Sequence, residues 1–88
     1  MGLSLKALIR NELGLHARAA AGIAKLAQQA KASVWVVKGN EKADAASILD
    51  LLTLECVKGT TVSIMIDDPE DHRILYEIAA HIEAGFGE

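Results

Sequence analysis

One cysteine, one proline and three aromatic residues are all that this sequence spends on those types. A lone Cys56 excludes an internal disulfide and fits a reducing compartment. A lone Pro69, with no Gly- or Ser-rich run, leaves no linker along which the 88 residues could divide, so a single domain over 1–88 is expected. Nine Lys and Arg against twelve Asp and Glu leave no basic stripe to meet nucleic-acid phosphates. No apolar run approaches membrane-spanning length, and no basic stretch followed by a long apolar run opens the chain. The expectation is a cytoplasmic protein without membrane insertion. What the sequence has in quantity is small aliphatic residues: 51% is hydrophobic, much of it alanine, and only 24% is charged, which excludes a disordered chain.

Periodicity sorts these residues into elements. Leu3, Leu5, Ala7 and Ile9 alternate with Ser4, Lys6, Leu8 and Arg10, the period of a strand with one face on a core. Ala20, Ile23, Ala24 and Ala27 recur at the spacing of a buried helix face, predicting a helix from His16 to about Gln29 or Ala30. Gly22 lies inside that helix at a cost of about 1 kcal/mol, as expected where a neighbouring sheet comes close. Val34-Trp35-Val36-Val37 reads as a strand, with Val34 and Val36 facing in and Trp35 on the open side. Gly39-Asn40 suits a tight hairpin into a short, charged edge strand over 41–45.

Ser47 followed by Asp50 has the form of a capping box for a short helix reaching about Leu54. Its apolar residues Ile48, Leu49, Leu51 and Leu52 exceed what one buried face needs. Gly59 marks a turn, Val62, Ile64 and Ile66 a fourth strand, and Asp68-Pro69-Glu70-Asp71 a helix start. Ile74, Leu75, Ile78, Ala79 and Ile82 are the stripe of that last helix, with Phe86 extending it. The order βαββαβα, with helices on one face of a mainly antiparallel sheet, is an α+β two-layer domain.

The chemistry concentrates in Gly14-Leu15-His16-Ala17-Arg18-Ala19-Ala20. His16 stands where a helix begins, beside backbone N–H groups without intrahelical partners, and Arg18 adds a fixed positive charge. An imidazole, free amides and a guanidinium together can bond a phosphoryl group and offset its charge. By themselves these residues are more often a tolerated cap and a solvated arginine than a phosphoryl site. No metal-ligand spacing occurs: His72 and His81 lack a partner at i+3 or i+4 and read as surface residues, and Cys56 reads as core filler.

The heptapeptide resembles the active-site signature of HPr, the histidine phosphocarrier of the bacterial sugar phosphotransferase system, and the element order follows the same family. Ser47, 31 residues after His16, falls where the family carries a regulatory serine, and Ser47-Ile48-Leu49 resembles its Ser-Ile-Met run. In one position the chain departs from the pattern, with Ala19 where the family usually has proline.

The resemblance implies an open-faced two-layer sandwich, four antiparallel strands under three helices, acting as a monomer without cofactor. His16 Nδ1 would accept a phosphoryl group from phospho-Enzyme I and pass it to Enzyme IIA domains, with Arg18 and the amides of Ala17 and Arg18 stabilising it. Ile48, Leu49 and Leu52 would dock partners, and Ser47 would be the target of an HPr kinase/phosphorylase. Such a protein is a stoichiometric carrier rather than an enzyme. A regulatory paralogue of a nitrogen-linked or transport-free phosphotransferase branch is one alternative, and a small-molecule-binding regulatory domain is another, from a different class.

Overall fold

The computed structural model describes residues 3–87. Six elements alternate as expected: β1 (Leu3–Leu8), α1 (Ala17–Ala27), β2 (Val34–Lys38), β3 (Glu41–Asp44), α2 (Ile48–Leu52) and β4 (Thr61–Ile66). A 3₁₀ turn at Pro69–Asp71 leads into α3 (His72–Glu83), and a second 3₁₀ turn, Gly85–Gly87, follows it. The sheet runs β1-β4-β2-β3 with every neighbouring pair antiparallel.

Alternation sets which face is buried. Ala7, Val34, Val36, Ala43, Val62, Ile64 and Ile66 point to the helices and are buried. Lys6, Met65 and Lys42 lie exposed on the opposite, open face, and Trp35 is half-buried there. Trp35 is held by its Nε1–H donating to Asp67 Oδ1 at 3.2 Å and by Lys42 Nζ 4.1 Å from the ring centroid. On the helix side, four of the five buried residues of α1 are alanine, so this helix seats close to its neighbours. Ile23, Ile74, Ile78 and Ile82 fill the space between.

Several expectations need correction. Helix α1 stops at Ala27, two or three residues early. Asp71, a buried carboxylate, accepts from the N–H groups of Lys31 and Ala32 at 2.9 and 3.1 Å and draws the backbone out of the helix. Gly22 faces no strand: a Cβ there would lie 2.5 Å from His81 Nε2, so α1 approaches α3. His81 is accordingly no solvated residue, being half-buried and edge-on to Phe86 at 5.5 Å between centroids. The capping box is half-formed. Ser47 Oγ accepts from the Asp50 amide at 3.2 Å, but the Asp50 carboxylate turns away to the Asp44 N–H at 2.7 Å.

Candidate functional site

The loop before α1 is built around Gly14. Its φ of +65° is the left-handed region, and a Cβ would lie 2.4 Å from the Cys56 carbonyl oxygen. That close approach lets the Leu15 N–H donate to Cys56 O at 2.9 Å and drops the Leu15 side chain into the core. Asn11 Nδ2 donates to Gly14 O at 2.8 Å and closes the loop on itself. Lys58 Nζ pairs with Glu12 Oε1 at 2.5 Å across the same junction and holds that carboxyl below its ordinary range, chiefly by the hydrogen bond. With Leu15 anchored, the next side chain stands at the start of α1.

That side chain is His16, the N-cap of α1, half-buried, with extended backbone at φ −94° and ψ 178°. Its Nδ1 accepts from the Ala19 N–H at 3.4 Å, a long hydrogen bond. An accepting Nδ1 assigns the ring proton to Nε2 in the neutral imidazole. Nδ1 therefore lies over the first turn, where the amides of Ala17, Arg18 and Ala19 precede the first helical bond, from Ala20 N–H to His16 O at 2.8 Å. Those of Ala17 and Arg18 have no acceptor among the described residues. Arg18 is exposed and makes no ion pair among the described residues, so its guanidinium is available to a ligand.

The structure separates Ser47 from this centre. Gln28 Nε2, just past the C-terminal end of α1, donates to Ala46 O at 3.3 Å, whereas the segment after α2 returns to Leu15 through Cys56. Helix α2 thus runs back along α1, and Ser47 sits one helix length from His16, roughly 16 Å for eleven residues at 1.5 Å each. Along α2, Leu49 is 79% and Ile48 39% exposed, while Leu52 is half-buried against the core. Sequence reasoning missed two residues of this surface. Leu13 and Val57, 70% and 67% exposed, flank the Gly14–Cys56 junction next to His16. The available signal was an isolated apolar residue in each of two otherwise polar turns.

The remaining nucleophile and histidines lie outside this cluster. Cys56 is buried, and burial pushes its thiol up, away from thiolate chemistry. His72 is exposed, with Nδ1 3.2 Å from Pro69 O. No group of three or more His, Cys, Asp or Glu suited to a metal ion occurs among the described residues, and none of the described helices is long and apolar enough to cross a membrane.

A sheet open on one face, with a histidine capping the first of its covering helices, defines the class: a small α+β two-layer protein with an imidazole at a helix start. Comparison with known proteins narrows the class. Residues 3–84 match the family model described as the PTS HPr component phosphorylation site, and the chain belongs to that family. It is 41% identical over 86 residues to the phosphocarrier protein NPr of Shewanella violacea, covering 98% of this chain and 94% of the relative. It is 35% identical over 80 residues to the phosphocarrier protein HPr of Neisseria meningitidis, covering 91% and 90%. Among solved structures, HPr from Thermoanaerobacter tengcongensis superposes with a TM-score of 0.80 at 32% identity, covering 98% and 97% of the two chains. Family membership decides for a phosphocarrier over a small-molecule-binding domain, and the protein works with components of the phosphotransferase system.

Proposed function

We propose that His16 is the phosphoryl acceptor, that Nδ1 is the attacking atom, and that the first turn of α1 with Arg18 holds the transferred group. One observation carries this reading: Nδ1 is directed at the helix start rather than away from it. The Nδ1 lone pair forms the new N–P bond while the pair of the donor's P–N bond returns to the donor imidazole. The Nε2 proton stays in place, so no general base is called for. The phosphoryl oxygens then fall among the Ala17 and Arg18 amides and the guanidinium, where charge-assisted bonds and the helix dipole favour the anion. The carrier is stoichiometric: each molecule takes one group and passes it on.

The donor in this reading is phospho-Enzyme I and the acceptors are Enzyme IIA domains, in the cytoplasm. Ile48 and Leu49 of α2, with Leu13 and Val57 beside His16, supply apolar area for both. Leu52 supports α2 from beneath. Ser47 enters through docking alone. A phosphoryl group added there by an HPr kinase/phosphorylase would stand a helix length from His16, with Asp44 and Asp50 beside it. It would alter how a partner seats, not the transfer step.

A second reading concerns which branch is served. Relatives named NPr, at 41% and 35% identity, stand beside relatives named HPr at 35%, so a regulatory paralogue fits as well as a sugar-uptake carrier. The experiment for the main reading is incubation with Enzyme I and phosphoenolpyruvate, followed by intact mass at alkaline pH. One acid-labile, base-stable phosphate is expected, absent from His16→Ala. Phosphate still arriving on that variant overturns the assignment. Comparing Enzyme I paralogues as donors in the same assay separates the branches.

A further inference from the structure

Residue 19 carries the departure from the family pattern, and its backbone does what a prolyl residue there could not. The Ala19 N–H is the third amide of α1, ahead of the first intrahelical bond, and it reaches His16 Nδ1 at 3.4 Å. A prolyl nitrogen bears no hydrogen. We infer that the Ala19 amide is a positioning group for His16 before transfer and an added donor to the phosphoryl group after it, so that this carrier holds phosphate more firmly than the same protein with proline at 19. The inference rests on His16 being the acceptor.

Before transfer, an N–H aimed at the Nδ1 lone pair selects the tautomer with hydrogen on Nε2, the one in which Nδ1 is nucleophilic. It also favours the ring orientation in which Nδ1 faces the first turn. When the N–P bond forms, that lone pair is consumed and the amide loses its acceptor. The phosphoryl oxygens now occupy the same side of the ring, over the first turn, and the amide passes from a neutral nitrogen to an anionic oxygen. Hydrogen bonds to charged acceptors are roughly twice as strong as neutral ones. The exchange therefore favours the phosphorylated form, and what is gained depends on the difference between the two bonds. The atoms balance without a proton transfer, because the amide hydrogen only changes acceptor.

Two variants delete this hydrogen in different ways. Ala19→Pro removes it while restricting the backbone of Arg18. An amide-to-ester replacement of the Arg18–Ala19 bond, made by chemical ligation, removes it and leaves the backbone otherwise unrestrained. Neither takes away a backbone bond of the helix itself. The first readout is the ¹⁵N spectrum of the neutral His16 ring. The wild type should have Nδ1 accepting and Nε2 protonated, and both variants should shift the tautomer ratio toward an even mixture by about threefold. The second is a competition at equilibrium, with equal amounts of wild type and variant, limiting phosphoenolpyruvate and catalytic Enzyme I. Intact mass should find phosphate on the wild type over either variant by roughly fivefold.

Equal partition, or preference for the variants, overturns the inference. A shift with Ala19→Pro but none with the ester assigns the effect to backbone restriction and overturns it as well. Should no protein in the mixture take phosphate, the acceptor assignment has failed instead, and the ¹⁵N readout still decides whether the amide holds the ring.

Discussion

Gly22→Ala sets helix propensity against packing, and the structure says which wins. In an isolated helix the change stabilises by about 1 kcal/mol. Here the new Cβ would stand 2.5 Å from His81 Nε2 and 3.3 Å from Cε1, and a rigid ring has no flexible end to move aside. The imidazole is also edge-on to Phe86. Forcing it off its rotamer costs ~0.5–1.5 kcal/mol, and losing an aromatic contact of this kind costs ~0.5–1.5 kcal/mol more. The sum exceeds the propensity gain, so Gly22→Ala should destabilise the protein by about 1 kcal/mol. In the His81→Ala background the obstacle is gone, and the same change should stabilise by about 1 kcal/mol. Urea unfolding of the four proteins, compared by midpoint at constant slope, measures the coupling, which should be about 2 kcal/mol. Stabilisation by Gly22→Ala in the otherwise native protein, or additivity of the two changes, would refute the claim that His81 is why residue 22 is glycine.

Three further outcomes follow from the site and its supports. Arg18→Ala should slow phosphoryl transfer ten- to a hundredfold, the loss of one charge-assisted bond of ~1.5–3 kcal/mol, with thermal unfolding nearly unchanged because the side chain is exposed. Leu49→Asp should leave the fold intact, given its 79% exposure, while raising the KM for Enzyme I by roughly tenfold through lost apolar burial and a charge needing desolvation. Glu83 accepts from the Leu8 amide at 2.6 Å and from Arg10 Nε at 2.8 Å, and these bonds hold its carboxyl below the ordinary value. Its contribution is thus complete above the unfolded-state value and is lost as pH falls through the folded one. Glu83→Gln should flatten that acid limb and leave the neutral limb unchanged in shape, as read from unfolding midpoints across pH.

What was legible in the sequence was whatever is written at short range. The Gly39-Asn40 hairpin, the alternation of β4 and the stripe of α3 all depend on residues within a few positions of each other, and each stands as expected. What was illegible came from partners distant in the chain. Gln28, Gln29 and Ala30 are tolerable helix residues, and only Asp71, forty positions on, makes the chain leave α1 before them. Gly22 answers to His81 and Gly14 to Cys56, neither of which any local window contains. The Asp50 carboxylate satisfies Asp44 rather than closing a box with Ser47, because the β3 end presents its N–H within reach. At the candidate site, the motif placed His16 and Arg18 at a helix start. The reach of the Ala19 amide to Nδ1 is a backbone feature that no residue code spells out.

The central claim is that phosphate resides on Nδ1 of His16, over the first turn of α1. Its most direct measurement is a ¹H–¹⁵N–³¹P correlation on the uniformly ¹⁵N-labelled protein after charging by Enzyme I. One phosphorus resonance is expected, coupled to Nδ1 of His16, with the amides of Ala17, Arg18 and Ala19 shifting together on charging. Coupling to Nε2, or to His72 or His81, or a resonance belonging to a phosphoserine, would contradict it.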